Sequence, residues 1–132
     1  MMTPILTLVL AIAPAALLAE TPMTAAEFEK YVTGRTLSYG VTDEPYGAES
    51  YHPGRGVTWT FLDGECEHGY WYPDEEAICF VYEFEPDPQC WVFYDEPGGL
   101  RAEFLGADGL STLYQVDDLD EGLICPGPDV GV

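Results

Sequence analysis

The sequence is poor in positive charge: Lys and Arg number 4 against 24 Asp and Glu, for a formal net charge of −20, and there are 2 His. Such an imbalance repels phosphate backbones and anionic lipid surfaces, which excludes nucleic acid and anionic membrane as partners. No two cysteines stand at a C-x-x-C spacing, and Cys66-Glu67-His68 is too tight for a chelating pair, so a structural zinc site is excluded. None of Ser38, Ser50 and Ser111 lies in a G-x-S-x-G elbow. There is no tandem repeat and no separable linker, and no apolar run reaches the roughly 20 residues of a membrane-crossing helix. What is present in quantity is apolar and aromatic: 47% and 14% of the 132 residues, too much for a disordered chain.

The first 19 residues carry no charged side chain. Their apolar stretch, Ile5 to Ala13, is short, and Pro14 and the small residues up to Ala19 follow it. This is the pattern of a secretory signal, with a helix breaker ahead of a small-residue cleavage site. The reading predicts cleavage after Ala19 and a single mature domain over residues 20–132, periplasmic or secreted, with no stable membrane association after cleavage. All four cysteines, Cys66, Cys79, Cys90 and Cys125, fall in that mature part. An even set in a small exported domain predicts two disulfides. Three pairings are possible. Cys79 and Cys90 flank Pro86-Asp87-Pro88, so a hairpin there places them opposite each other, which leaves Cys66 for Cys125.

Thr24-Ala25-Ala26-Glu27 has the form of a capping box, and Phe28, Tyr31 and Val32 recur at helical spacing before Gly34. One short helix is expected over about Ala25 to Thr33. Beyond it the period changes to two. Runs rich in aromatic and β-branched residues extend over Arg35 to Val41, Glu49 to His52, Gly56 to Leu62, Cys66 to Tyr72, Ala77 to Phe84, Gln89 to Tyr94, Leu100 to Leu105 and Ser111 to Val116. Turn clusters separate them, among them Asp63-Gly64, Pro86-Asp87-Pro88 and Ala107-Asp108-Gly109. Even spacing and short loops predict a mainly β fold: one N-terminal helix, then an antiparallel meander of about 7–8 strands forming a small lipocalin-like barrel or a sandwich. Alternation puts Val57, Trp59 and Phe61 on one face and Thr58 and Thr60 on the other.

The succession Gly69-Tyr70-Trp71, Cys79-Phe80-Val81-Tyr82 and Cys90-Trp91 resembles a family of short exported bacterial β-rich proteins that share a G-x-W, C-F-x-Y, C-W pattern. The resemblance spans about Gly56 to Phe104. It implies a fold and carries no activity, cofactor or site.

Candidate chemistry is sparse. Glu49-Ser50-Tyr51-His52 is the nearest approach to a hydrolytic constellation, but neighbouring residues on a strand point to opposite faces. The acidic groups Asp117, Asp118, Asp120, Glu121 and Asp74, Glu75, Glu76 supply oxygens suited to calcium without EF-hand spacing, and are read as solvated loops. The expectation is therefore a non-catalytic domain without catalytic residues, metal or cofactor. Its partner would be a small apolar ligand held among Trp59, Trp71, Trp91 and the tyrosines, or a basic protein. The alternatives are an inhibitor of a basic extracellular enzyme, a lysozyme or protease, presenting Phe84 to Gln89 as a rigid loop, and a small hydrolase using His52 or His68.

Overall fold

A computed structural model describes residues 1, 2, 4, 5, 7–12, 20–62, 64–106 and 112–125 of the chain. Several features read from the sequence lie outside them: the junction at Ala19, the Asp63 turn position, the Ala107-Asp108-Gly109 turn, Ser111, and everything beyond Cys125. Among the described residues, no helix is long and apolar enough to cross a membrane.

Helix α1 spans Ala25–Val32. Its start is the capping box: the Thr24 hydroxyl accepts from the Glu27 amide, and the Glu27 carboxylate accepts from the Thr24 amide. Two of the free amides of the first turn are thereby satisfied. Gly34, at φ +83°, turns the chain directly into the sheet. Phe28 and Val32, four residues apart, form the fully buried edge of the helix.

Eight strands follow: β1 Thr36–Gly40, β2 Gly47–Tyr51, β3 Gly56–Thr60, β4 Cys66–Asp74, β5 Ala77–Tyr82, β6 Glu85–Glu96, β7 Gly99–Phe104 and β8 Thr112–Asp118. Each pairs antiparallel with the next, and β8 returns to β1, so the sheet closes. Of the two architectures the meander allowed, the chain adopts the barrel. Closure satisfies the backbone groups that two open edges would leave unpaired.

One expectation needs correction. Pro86-Asp87-Pro88 is not a hairpin loop: the β5–β6 turn is Glu83-Phe84, and Glu85 to Pro88 belong to β6. The β5–β6 register slips between the Tyr82–Glu85 and Phe80–Gln89 pairs. That irregularity is where two prolines, which donate nothing to the ladder, are tolerated within a strand. Cys79 still stands opposite Cys90, and the two are bonded. The segment Phe84 to Gln89 is thus mostly the start of a strand rather than a protruding loop.

The barrel has one closed and one open end. At the closed end, Phe28 enters from α1 and meets Tyr51, Trp71, Phe80 and Phe93, with ring centroids 4.4–6.4 Å apart. Met23 leads the chain in beside it, its amide donating to the Phe93 carbonyl. At the open end lie the ends of the strands joined as β1–β2, β3–β4, β5–β6 and β7–β8, and no helix or strand among the described residues crosses it.

After β8 the chain is fixed at two points. The Leu119 amide donates to the Thr36 carbonyl, and Cys125 is bonded to Cys66 at the start of β4. This path from β1 to β4 crosses the outside of β2 and β3, where Ser50, Thr58 and Thr60 are buried although they face away from the core. The strand alternation read from the sequence holds for these threonines, yet both are buried, Thr58 between the rings of His52 and His68.

Candidate functional site

The residues singled out as hydrolytic candidates do not come together. Ser50 shares a 2.6 Å hydrogen bond with Thr36 on the outer face. Glu49 and Tyr51, its neighbours, point inward, as the two-residue period of a strand requires. The histidines do meet, on either side of one hydroxyl: His52 Nε2 lies 2.9 Å and His68 Nδ1 3.1 Å from Thr58 Oγ1. No serine hydroxyl is bonded to either ring among these contacts, so the cluster ties β3 and β4 to the loop after β2.

Of the acidic groups, one carboxylate is tied to the frame, and a neighbour is tied through its backbone. Asp118 accepts from the Arg35 guanidinium, and the Asp117 amide donates to Ser38. Among the described residues, no group of three or more His, Cys, Asp or Glu is arranged to hold a metal ion. The arginines are committed to the exterior. Arg35, Arg55 and Arg101 each lie over an aromatic ring, of Tyr31, Trp71 and Tyr94 respectively, and each meets at least one carboxylate. Arg101 alone gathers Glu20, Glu96 and Glu103.

The interior of the open end is different. Inward-facing residues of the strands enclose a cavity of about 150 Å³. Its floor is the aromatic layer of Tyr51, Phe80 and Phe93, the same rings that touch Phe28 from beneath. Its walls include Trp59, Trp91, Tyr39 and Leu113, and its lining continues outward through Tyr46 to the exposed Phe61 and Glu85. The cavity therefore reaches the surface at that rim. Gly47 shapes this wall: a side chain there would collide with the Trp59 indole, so only glycine lets the ring lie against β2.

One polar group stands out in this apolar space. Glu49 is 2% exposed. Its Oε1 accepts from the Tyr82 hydroxyl at 2.7 Å, while its Oε2 is buried with no hydrogen-bond partner. Burial pushes the Glu49 carboxyl up to about 8; the Tyr82 hydrogen bond opposes this, and the charge of Glu67 adds to it. Tyr39 and Tyr51 bond each other across the same space at 2.7 Å, and burial raises both, and Tyr82, above the ordinary tyrosine range. Nearer the rim Glu67 is raised as well, by burial and then by Glu85, Glu83 and Glu65. The cavity lining thus contains three carboxyl groups, Glu49, Glu67 and Glu85, and no Lys, Arg or His among the described residues.

Trp59 and Trp91 occupy the cavity wall, whereas Trp71 lies at the closed end against Phe28. Of the polar members, Glu49 stood in the sequence only as part of Glu49-Ser50-Tyr51-His52, a hydrolytic constellation, and not as an inward-facing group of a cavity. The signal was there: Tyr51 as an inward aromatic sets the phase of β2, and two residues back along the strand is Glu49. Trp71, Gly69 and Glu67 follow the same rule on β4.

Compared with protein-family models, with curated proteins and with solved structures, the chain matches none of them.

Proposed function

We propose that this protein is an exported, non-catalytic barrel that binds a small, mainly apolar molecule in the cavity at its open end. The observation that carries this reading is the cavity itself, aromatic on its walls and reaching the rim, with a buried carboxyl oxygen left unpartnered inside it. Ligand sites have this composition: apolar walls and a small number of placed polar groups. A space of this size suits a single six-membered ring with a short substituent. The Cys66–Cys125 and Cys79–Cys90 bonds suit an oxidising compartment, periplasmic or extracellular, and agree with the apolar, charge-free segment at residues 1–19.

A second reading, an inhibitor of a basic extracellular enzyme such as a lysozyme or protease, is supported by the acidic surface and by Phe84. That side chain is 71% exposed at the β5–β6 tip, between Glu83 and Glu85.

Tryptophan fluorescence tests the ligand reading, because Trp59 and Trp91 would contact a bound molecule. Titration with neutral, cationic and anionic single-ring compounds is expected to give a saturable change, with a matching rise in Tm, for at least one of them. A folded, oxidised protein that responds to no member of the series would overturn the reading.

A further inference from the structure

We infer that the ligand class is a small organic monocation, a ring or short hydrocarbon body carrying one ammonium group, with Glu49 as its counter-ion. This inference rests on the cavity being a ligand site, and it narrows what that site accepts.

Glu49 Oε2 is an acceptor with nothing to accept from. A buried carboxyl that keeps one oxygen idle carries a desolvation penalty that a donor from a ligand would relieve. Its other oxygen accepts from Tyr82, which holds the carboxyl in one orientation, and the residue lines the cavity. An ammonium N–H supplies the missing donor and also balances the charge. Neutral donors, such as an alcohol, supply only the first of these.

The surroundings point the same way. Trp59, Trp91 and Phe61 present ring faces or edges to the cavity, and aromatic faces attract an organic cation. Glu67 and Glu85 add negative charge between the rim and Glu49, and there is no basic side chain in the lining to oppose it. An anionic ligand would have to pass Glu67 and Glu85 and would find no basic partner inside. The chain's net charge of −20 adds a long-range field of the same sign, which steers cations inward and anions away. The three arginines are each held by an aromatic ring and at least one carboxylate, away from this lining.

Binding of a cation also has a proton consequence. In the empty cavity the Glu49 carboxyl holds its proton through neutral pH, and a bound ammonium drives that proton off. The groups facing Glu49 are Tyr39 from β1, Tyr51 from β2, Glu67 from β4, Tyr82 from β5 and Glu85 from β6. The tyrosines stay neutral across this range, since burial raises all three. The pH dependence between pH 6 and pH 8 therefore falls to the raised carboxyls, Glu49 with Glu67 coupled to it, and Glu49→Gln separates the two.

The test compares 2-phenylethylamine, an ammonium at these pH values, with 2-phenylethanol, its neutral counterpart of nearly equal size, on the full oxidised protein. The amine is expected to bind at least about tenfold more tightly, a difference of about 1.4 kcal/mol. Its affinity should rise by up to about tenfold per pH unit from pH 6 towards pH 8, with release of close to one proton. The alcohol should show neither effect. Glu49→Gln, close to the wild-type side chain in shape, should abolish the preference for amine over alcohol and the pH dependence. Equal binding of amine and alcohol, or an amine affinity flat with pH, overturns the inference and leaves the cavity as a site for neutral ligands. Failure of both compounds to bind a folded protein overturns the inference and counts against the cavity as a site for single-ring ligands. Should the Gln variant not fold, the proton release and pH profile of the wild-type protein decide the matter alone.

Discussion

The two ends of the barrel are built from the same eight strands, and they differ in what fills them. At the closed end a helix delivers Phe28 into a ring of aromatic side chains, with no exposed surface left on it. At the open end Trp59 and Trp91 are only partly buried, and the space between the walls holds no side chain. One end therefore does most of the work of stability, and the other is free to depart from good packing. The unpartnered oxygen of Glu49 belongs to the open end, on the far side of the aromatic layer of Tyr51, Phe80 and Phe93 that packs on Phe28.

This contrast can be broken by cutting equal pieces from each end. Phe28→Ala is expected to cost about 3–5 kcal/mol in denaturant unfolding, the range for a fully buried aromatic ring. Trp59→Ala removes a larger ring from a wall that already borders a cavity, and should cost only about 1–2 kcal/mol. Similar losses at both ends would mean that the open end is as much a part of the core as the closed one.

A finer test uses pH. The Glu49 carboxyl is raised from 4.5 to about 8, so the folded chain holds a proton that the unfolded chain has lost over that interval. Its contribution to stability is complete below pH about 4.5 and is lost as pH rises through about 8. Between pH 6 and pH 9 this amounts to about 2–3 kcal/mol. Glu49→Gln should flatten this part of the stability profile, which unfolding curves of the two proteins at both pH values would show. An unchanged slope would mean that the carboxyl is solvated in the empty cavity.

The smallest effect is expected at the entrance to the helix. Thr24→Ala removes one half of the capping box and should cost about 1 kcal/mol. Because α1 carries the plug, that loss should appear in global unfolding and leave ligand binding at the open end unchanged.

Much of this architecture was legible in the sequence, and for identifiable reasons. The capping box is a local contact over three residues, and strands such as Gly56–Thr60 and Gly99–Phe104 announce themselves through a two-residue alternation. The choice of barrel over sandwich was not legible, because it depends on the pairing of Thr112–Asp118 with Thr36–Gly40 across the whole chain. The prolines at 86 and 88 misled in the other direction. They are turn residues by composition, yet a local slip in register lets an extended strand contain them. The site was obscured by charge: among 24 acids, a single Glu is expected in water, and only the phase set by Tyr51 places Glu49 inside. Nothing in the sequence signals that its second oxygen lacks a partner, since that depends on how far each neighbouring strand leans.

The bond between Cys66 and Cys125 also decides how the molecule carries force. Residues 67–124 lie inside that covalent loop, so tension between its two flanks passes through the sulfurs and bypasses β4 beyond Cys66 together with β5 to β8. Only β1 to β3 and the helix can be drawn out. Under load the barrel would part along the seams between β1 and β8 and between β3 and β4, taking Glu49 and Trp59 away from Tyr82 and Trp91. The two halves of the cavity wall thus lie on opposite sides of a mechanical divide.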